Sequence, residues 1–150
     1  MDAIDLKIIK LLQQDAKQNT KEIAKKVGLT VSPTYERIKK LEELGVIKKY
    51  IAIIDNEKVG QNIMVYCQIS LTMHSRKLID NFIDAINSYN DVLVCQHVSG
   101  NYDFLLKVGV EDMNAYQKFV IEKLSIIDGI SNVQSLFVMN EIKNQQMIVV

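Results

Sequence analysis

The chain predicts an α+β fold in two parts, three helices followed by a β-α-β-β-α-β unit, and three observations carry that expectation. Apolar residues recur at helical spacing through the first third of the chain and at strand spacing in several later runs. Between these regions lies a polar stretch, DNEKVGQN at residues 55–62, whose one apolar residue is Val59. Charge also changes sign along the chain. Residues 1–50 hold eleven Lys and Arg against seven Asp and Glu, and residues 51–150 hold seven against eleven, so the formal net charge of zero is a cancellation between halves.

The helical part can be justified from its ends inward. Asp2 suits an N-cap and Asp5 the third helical position, with Ile4, Ile8, Leu11 and Leu12 forming one apolar face. A second helix is expected over residues 21–26, capped by Thr20, with Ile23, Ala24 and Val27 inward and Gly28 as its left-handed stop. A third starts with Ser32 as N-cap and Pro33 at the first helical position, repeats Tyr35, Ile38, Leu41 and Leu44, and ends at Gly45. Lys21, Lys25 and Lys26 occupy the polar face of the second helix; Thr34, Arg37, Lys39 and Lys40 point away from the stripe of the third. Residues 46–54 are rich in β-branched side chains and start with Lys48, Lys49 and Tyr50, as a short strand or wing would.

This is the spacing of a helix-turn-helix, in which one helix fits the major groove and another braces it across the backbone. Lys21, Ser32, Thr34, Tyr35, Arg37, Lys39, Lys40, Lys48 and Lys49 are the candidates for base edges and phosphates of double-stranded DNA. Helix pairs with a glycine turn occur in many helical proteins, and a basic helix face is usually solvated surface. The charge asymmetry favours a polyanion as the partner of the first part.

The second part follows from a change of period. Residues 63–73 read as a strand, 76–89 as an amphipathic helix with Leu78, Ile79, Phe82, Ile83 and Ile86, and 92–99 as a second strand. Gly100-Asn101-Tyr102-Asp103 makes a turn into a third strand at 104–110. Asp112 caps a helix carrying Met113, Tyr116, Phe119, Val120 and Leu124, Asp128-Gly129 breaks it, and 131–143 closes the set as a fourth strand. The order is that of a ferredoxin-like split βαβ unit. Two helices cover one face of such a sheet, and Val65, Cys67, Val94 and Val138 compete for one side or the other. Homodimerisation by sheet packing is therefore expected, with the apolar tail at 147–150 available to add a strand. The domain limits follow as 1–50 for the helix-turn-helix, 51–62 for a hinge strand and linker, and 63–150 for the sheet domain.

Composition excludes several classes. With 48% hydrophobic and 24% charged residues the chain reads as an ordinary soluble protein, and the first apolar run, broken by Asp5, Lys7 and Lys10, is neither a signal peptide nor a membrane span. A cytoplasmic location is expected. Cys67 and Cys95 lie in apolar runs without Cys-x-x-Cys spacing and read as buried free thiols. His74 and His97 have no neighbours in sequence that suggest a metal cluster, so they read as surface or interface residues. No Ser/His/Asp, paired-carboxylate or glycine-rich phosphate signature marks an enzyme.

Four runs together carry a resemblance: DAIDLKII at 2–9, ERIKKLEELGVI at 36–47, VSGNYDF at 98–104 and VMNE at 138–141. In this order and at these separations the chain resembles the Lrp/AsnC family of "feast or famine" transcription regulators over essentially its whole length. The resemblance implies homodimers, often gathered into octamers of four dimers, that bind DNA through the first domain. It also implies that the second, called RAM, senses an amino acid or related small molecule, with no cofactor. The effector would lie between dimers at Gly100, Asn101, Tyr102 and Asp103, with Val133 and Ser135 close by and Met73 and His74 lining the side-chain pocket. A glycine turn can open backbone N–H groups to a carboxylate, and Asp103 can accept from an ammonium. The same four residues would also serve as an ordinary hairpin turn, with Asp103 bonding its own backbone. Val133 stands where several relatives carry a threonine facing the ligand. A module that senses amino acids without sequence-specific DNA binding would explain the second domain but leave the basic first one without a purpose.

Overall fold

The computed structural model describes residues 1–144, arranged as two compact units, one built on Met1–Ile53 and the other on Ile54–Ile142. The tail at 147–150, expected to add a strand, lies outside the described residues.

The first unit contains α1 (Ala3–Gln14), α2 (Thr20–Val27) and α3 (Val31–Glu43). Asp2 caps α1 as expected. Its carboxylate accepts from the Ile4 and Asp5 N–H groups at 2.9 Å each, and the Asp5 carboxylate returns the bond to the Asp2 N–H. Ile8, Ile23 and Leu41, one from each helix, meet in a small core ringed by Ile4, Leu11, Leu12, Val27 and Ile38.

The helix starts differ from expectation. Asn19, not Thr20, caps α2: its side-chain oxygen accepts from the Glu22 N–H at 2.9 Å while the Glu22 carboxylate accepts from the Asn19 N–H at 3.2 Å. That reciprocal pair satisfies two otherwise orphaned donors. On α3 the cap is Thr30, so Ser32 and Pro33 fall inside the first turn, where proline's missing N–H has no intrahelical partner to lose. The buried stripe also shifts. Thr34 is 0% exposed and packs inward, whereas Tyr35 is 54% exposed and Leu44 also faces out. The expected wing and hinge strand do not form: no strand occurs between Val46 and Asn62, and the regular structure there is one 3-10 turn, Glu57–Val59. Among the described residues no strand pairs with that segment, and a lone strand has no ladder to hold it.

The second unit has the expected order: β1 (Ile63–Leu71), α4 (Arg76–Asn87), β2 (Val92–His97), β3 (Phe104–Val110), α5 (Met113–Lys118) and β4 (Ile130–Phe137). The strands form one antiparallel sheet in the order β2-β3-β1-β4. Alternation is strict on β1, where Val65, Cys67, Ile69 and Leu71 are buried against Phe82, Ile86, Phe119 and Leu124 of the helical layer. Val65 and Cys67 therefore share the covered face. Val94, opposite Lys107, joins Tyr66, Gln68, Leu105, Gln134 and Leu136 on the other, which mixes apolar side chains with amides and one lysine. Cys95 is exposed rather than buried because β2 is an edge strand. After Lys118 the helix widens into one π-helical turn, Phe119–Leu124, which keeps Phe119 and Leu124 inward. The fourth strand stops at Phe137, short of residue 143, since β1 starts at Ile63 and one last bond, from Val138 N–H to the Met64 carbonyl, exhausts its partner.

Candidate DNA interface and effector site

Gly28, at φ 77°, ends α2 in the left-handed region, leaving Leu29 and the cap Thr30 to join it to α3. Lys21, Ser32, Tyr35, Lys39, Lys40, Lys48 and Lys49 are all exposed, as contacts to DNA require. Two candidates are engaged within the first unit itself. The buried Thr34 hydroxyl donates to the Thr30 carbonyl at 2.9 Å, one turn back along its own helix. Arg37 bonds through Nη1 to Asp2 and Asp5, each at 2.7 Å, and ties α3 to the N-terminus of α1. Both carboxyls are held below their ordinary range, first by the N–H groups of the capping box and then by the guanidinium. The two carboxylates in turn raise the Arg37 pKa.

The outward face of α3 is not uniformly basic. Ser32, Glu36, Lys39 and Glu43 lie at helical spacing on one exposed stripe, and Lys39 Nζ sits 3.7 Å from Glu43. Glu36 is a functional candidate that sequence reasoning passed over by counting only cations. A carboxylate at the groove-facing start of a helix accepts from the N4 amino group of cytosine. Its spacing of four from Ser32 was readable.

In the second unit, β1 and the turn after β2 meet at Asp103. The Asp103 N–H donates to the Ile69 carbonyl at 2.8 Å, and its own carbonyl accepts from the Val98 N–H at 2.9 Å. Its carboxylate accepts from the Leu71 N–H at 2.7 Å through Oδ2 and meets His74 Nε2 at 2.6 Å through Oδ1. The Leu71 bond chiefly lowers the Asp103 pKa, with His74 and His97 adding to it. Gly100 holds φ at 147°, where a side chain is strained although nothing stands within 4 Å of a Cβ position. The turn backbone is thus open at Gly100, while the carboxylate lies mostly covered beneath His74, the residue that follows the exposed Met73.

The remaining candidates separate. Val133 pairs with Ile69 and packs on the covered face, next to the carbonyl that anchors Asp103. Ser135 lies two residues further along, opposite Cys67, where its hydroxyl bonds Tyr116, whose hydroxyl also meets Cys67 Sγ at 3.2 Å. Burial raises both the Cys67 and the Tyr116 pKa, so both stay neutral. Ser135 therefore belongs to the α5 side of the sheet rather than to the Asp103 turn. Nothing in the sequence announced that Tyr116 would claim it.

A capped helix pair with exposed lysines, followed by a ferredoxin-like domain that offers a polar turn to solvent, has the plan of a DNA-binding regulator with a small-molecule domain attached. Residues 1–48 match a winged helix-turn-helix DNA-binding domain, and residues 64–148 match the Lrp/AsnC ligand binding domain. The leucine-responsive regulatory proteins of Klebsiella pneumoniae and Escherichia coli (strain K12) are each 32% identical over 150 residues, all of this chain and 92% of theirs. Among solved structures, a transcriptional regulator from Neisseria meningitidis in complex with L-Met superposes with a TM-score of 0.94 at 30% identity, covering 99% of this chain and 96% of that one. An AsnC family transcriptional regulator from Agrobacterium tumefaciens gives 0.93 at 35% identity, with the same coverage. The chain belongs to the Lrp/AsnC family. It is a DNA-binding, amino-acid-responsive transcription regulator and not an enzyme. Among the described residues no helix is long and apolar enough to cross a membrane.

Proposed function

We propose that this regulator binds a free apolar amino acid at the Asp103 turn, and that the site is completed by a second copy of the chain. The observation that carries this reading is the turn itself: a carboxylate fixed by Leu71 N–H and a glycine-opened backbone, joined through His74 to the segment that carries the exposed Met73. A zwitterion needs an acceptor and N–H donors close together, and a ligand site normally covers most of its ligand. One chain leaves this surface open, so a partner must supply the lid. The likeness to a regulator solved with L-Met and to leucine-responsive proteins supports an apolar side chain.

The DNA contacts proposed are Lys21, Ser32, Tyr35, Glu36, Lys39 and Lys40, with Lys48 and Lys49 on the backbone. Homodimers form through the open sheet face and gather into larger rings in the cytoplasm. Two recognition helices then engage half-sites about 34–36 Å apart, one turn of DNA, or a multiple of that distance. The effector favours one assembly by its differential affinity for the two. A thermal-shift screen of free amino acids, followed by light scattering and DNA titration with the best ligand, tests the reading. An apolar amino acid should raise the melting temperature and change both mass and DNA affinity. No response to any of the twenty would overturn it.

A further inference from the structure

The chain has two histidines, and both act on Asp103. His74 is the direct partner, with Nε2 at 2.6 Å from Oδ1, and the two side chains are unequally placed: His74 is 68% exposed and Asp103 17%. The imidazole is therefore the solvent-facing partner of the pair, and it occupies one of the two carboxylate oxygens. The other oxygen is already held by the Leu71 N–H. An incoming ammonium finds its acceptor covered by a group of the same chemistry, a nitrogen donor that carries a positive charge when protonated.

We propose that His74 is a built-in competitor for the effector's ammonium group, so that binding exchanges one cation on Asp103 for another. This rests on the effector reading above and adds a regulation to it. When His74 is protonated it satisfies Asp103 and the ligand must displace it. When it is neutral the displacement loses no ion pair. Lowering the pH through the histidine range thus weakens effector binding, and ligand binding releases a proton.

Other chargeable groups around the pair come from each neighbouring element. His97, at the end of β2, stacks on Phe104 with ring centroids 4.7 Å apart and adds to the field on Asp103. Arg76, at the start of α4, lies 3.7 Å from Asp80. Asp128 precedes Gly129, whose carbonyl accepts from the Thr72 N–H. Of these, His97 is the other imidazole that acts on Asp103, so it needs its own control.

The test is calorimetry of L-methionine binding to the full chain at about pH 8 and about pH 6, either side of the ordinary histidine value of about 6.5. Wild type should bind up to about tenfold more weakly per pH unit on the acid side, the limit for one released proton. His74→Ala should bind at the lower pH as wild type does at the higher, with proton release abolished. His74→Lys, a cation at both pH values, should weaken binding at both. His97→Gln should keep the wild-type pH dependence. The proposal is overturned if His74→Ala retains that dependence, if it loses binding at both pH values, or if His97→Gln abolishes the dependence. L-methionine bound by neither wild type nor His74→Ala at the higher pH would overturn the effector reading for this ligand, and the exchange with it, a result distinct from binding that ignores His74.

Discussion

Arg37 shows that a residue type alone does not report the partners of its side chain. Its place on a basic helix suggests DNA, but which acid it meets depends on the start of α1, 32 and 35 residues away in sequence, and no local spacing reports that. Arg37→Ala should lower the melting temperature and weaken DNA binding while leaving the salt slope of DNA affinity unchanged. Loss of a true phosphate contact would instead reduce that slope by about 0.9. Thr34 was illegible for a related reason: a threonine that bonds its own helix backbone can be buried, and helical spacing does not show which of Thr34 and Tyr35 will be. Gly100 was legible as a turn residue but not as one at φ 147°. Gly100→Ala should cost about 1–3 kcal/mol of stability in thermal unfolding, through the backbone alone. Asp103 has its folded-state pKa depressed below the ordinary 3.8, so its contribution to stability is present above that value and lost as pH falls through the lower one. An acid titration monitored by circular dichroism should therefore show Asp103→Asn less stable than wild type at neutral pH, with the gap closing below about pH 4.

At the scale of elements, type was legible and ends were not. The periods of α1, α4 and β1 were set by their apolar faces, whereas Asn19 and Thr20 are both competent caps and only reciprocity with Glu22 chooses between them. Asn19→Ala should destabilise the first unit by about 1 kcal/mol and Thr20→Ala by much less, as denaturant unfolding would show. The π turn at Phe119–Leu124 shares its apolar spacing with an ordinary helix and so left no separate mark in the sequence. On α3, Lys39→Ala should weaken DNA binding about equally across sequences and flatten its salt dependence by about 0.9, whereas Glu36→Ala should relax preference at one base pair by about 1–3 kcal/mol. Competition binding against a set of single-base variants of a bound site separates the two.

For the whole molecule, the order of elements was readable because each change of period coincides with a polar or glycine break, and the order βαββαβ leaves few sheets to choose from. The occupant of the open face was not readable, because amides and Lys107 interrupt the apolar residues there. If two copies share that face, the melting temperature should rise with protein concentration, and a melting temperature independent of concentration would argue for a stable monomer. One further consequence follows from β1, which both neighbouring strands hold and whose last N–H anchors Asp103. A residue inserted between Val65 and Leu71 would turn one half of the strand inside out and leave the turn's carboxylate facing the wrong group. The chain can lengthen more readily in the polar linker at residues 55–61, but across those seven positions of β1 its length has a parity. In any descendant of this sequence, insertions and deletions there should come in twos or not at all.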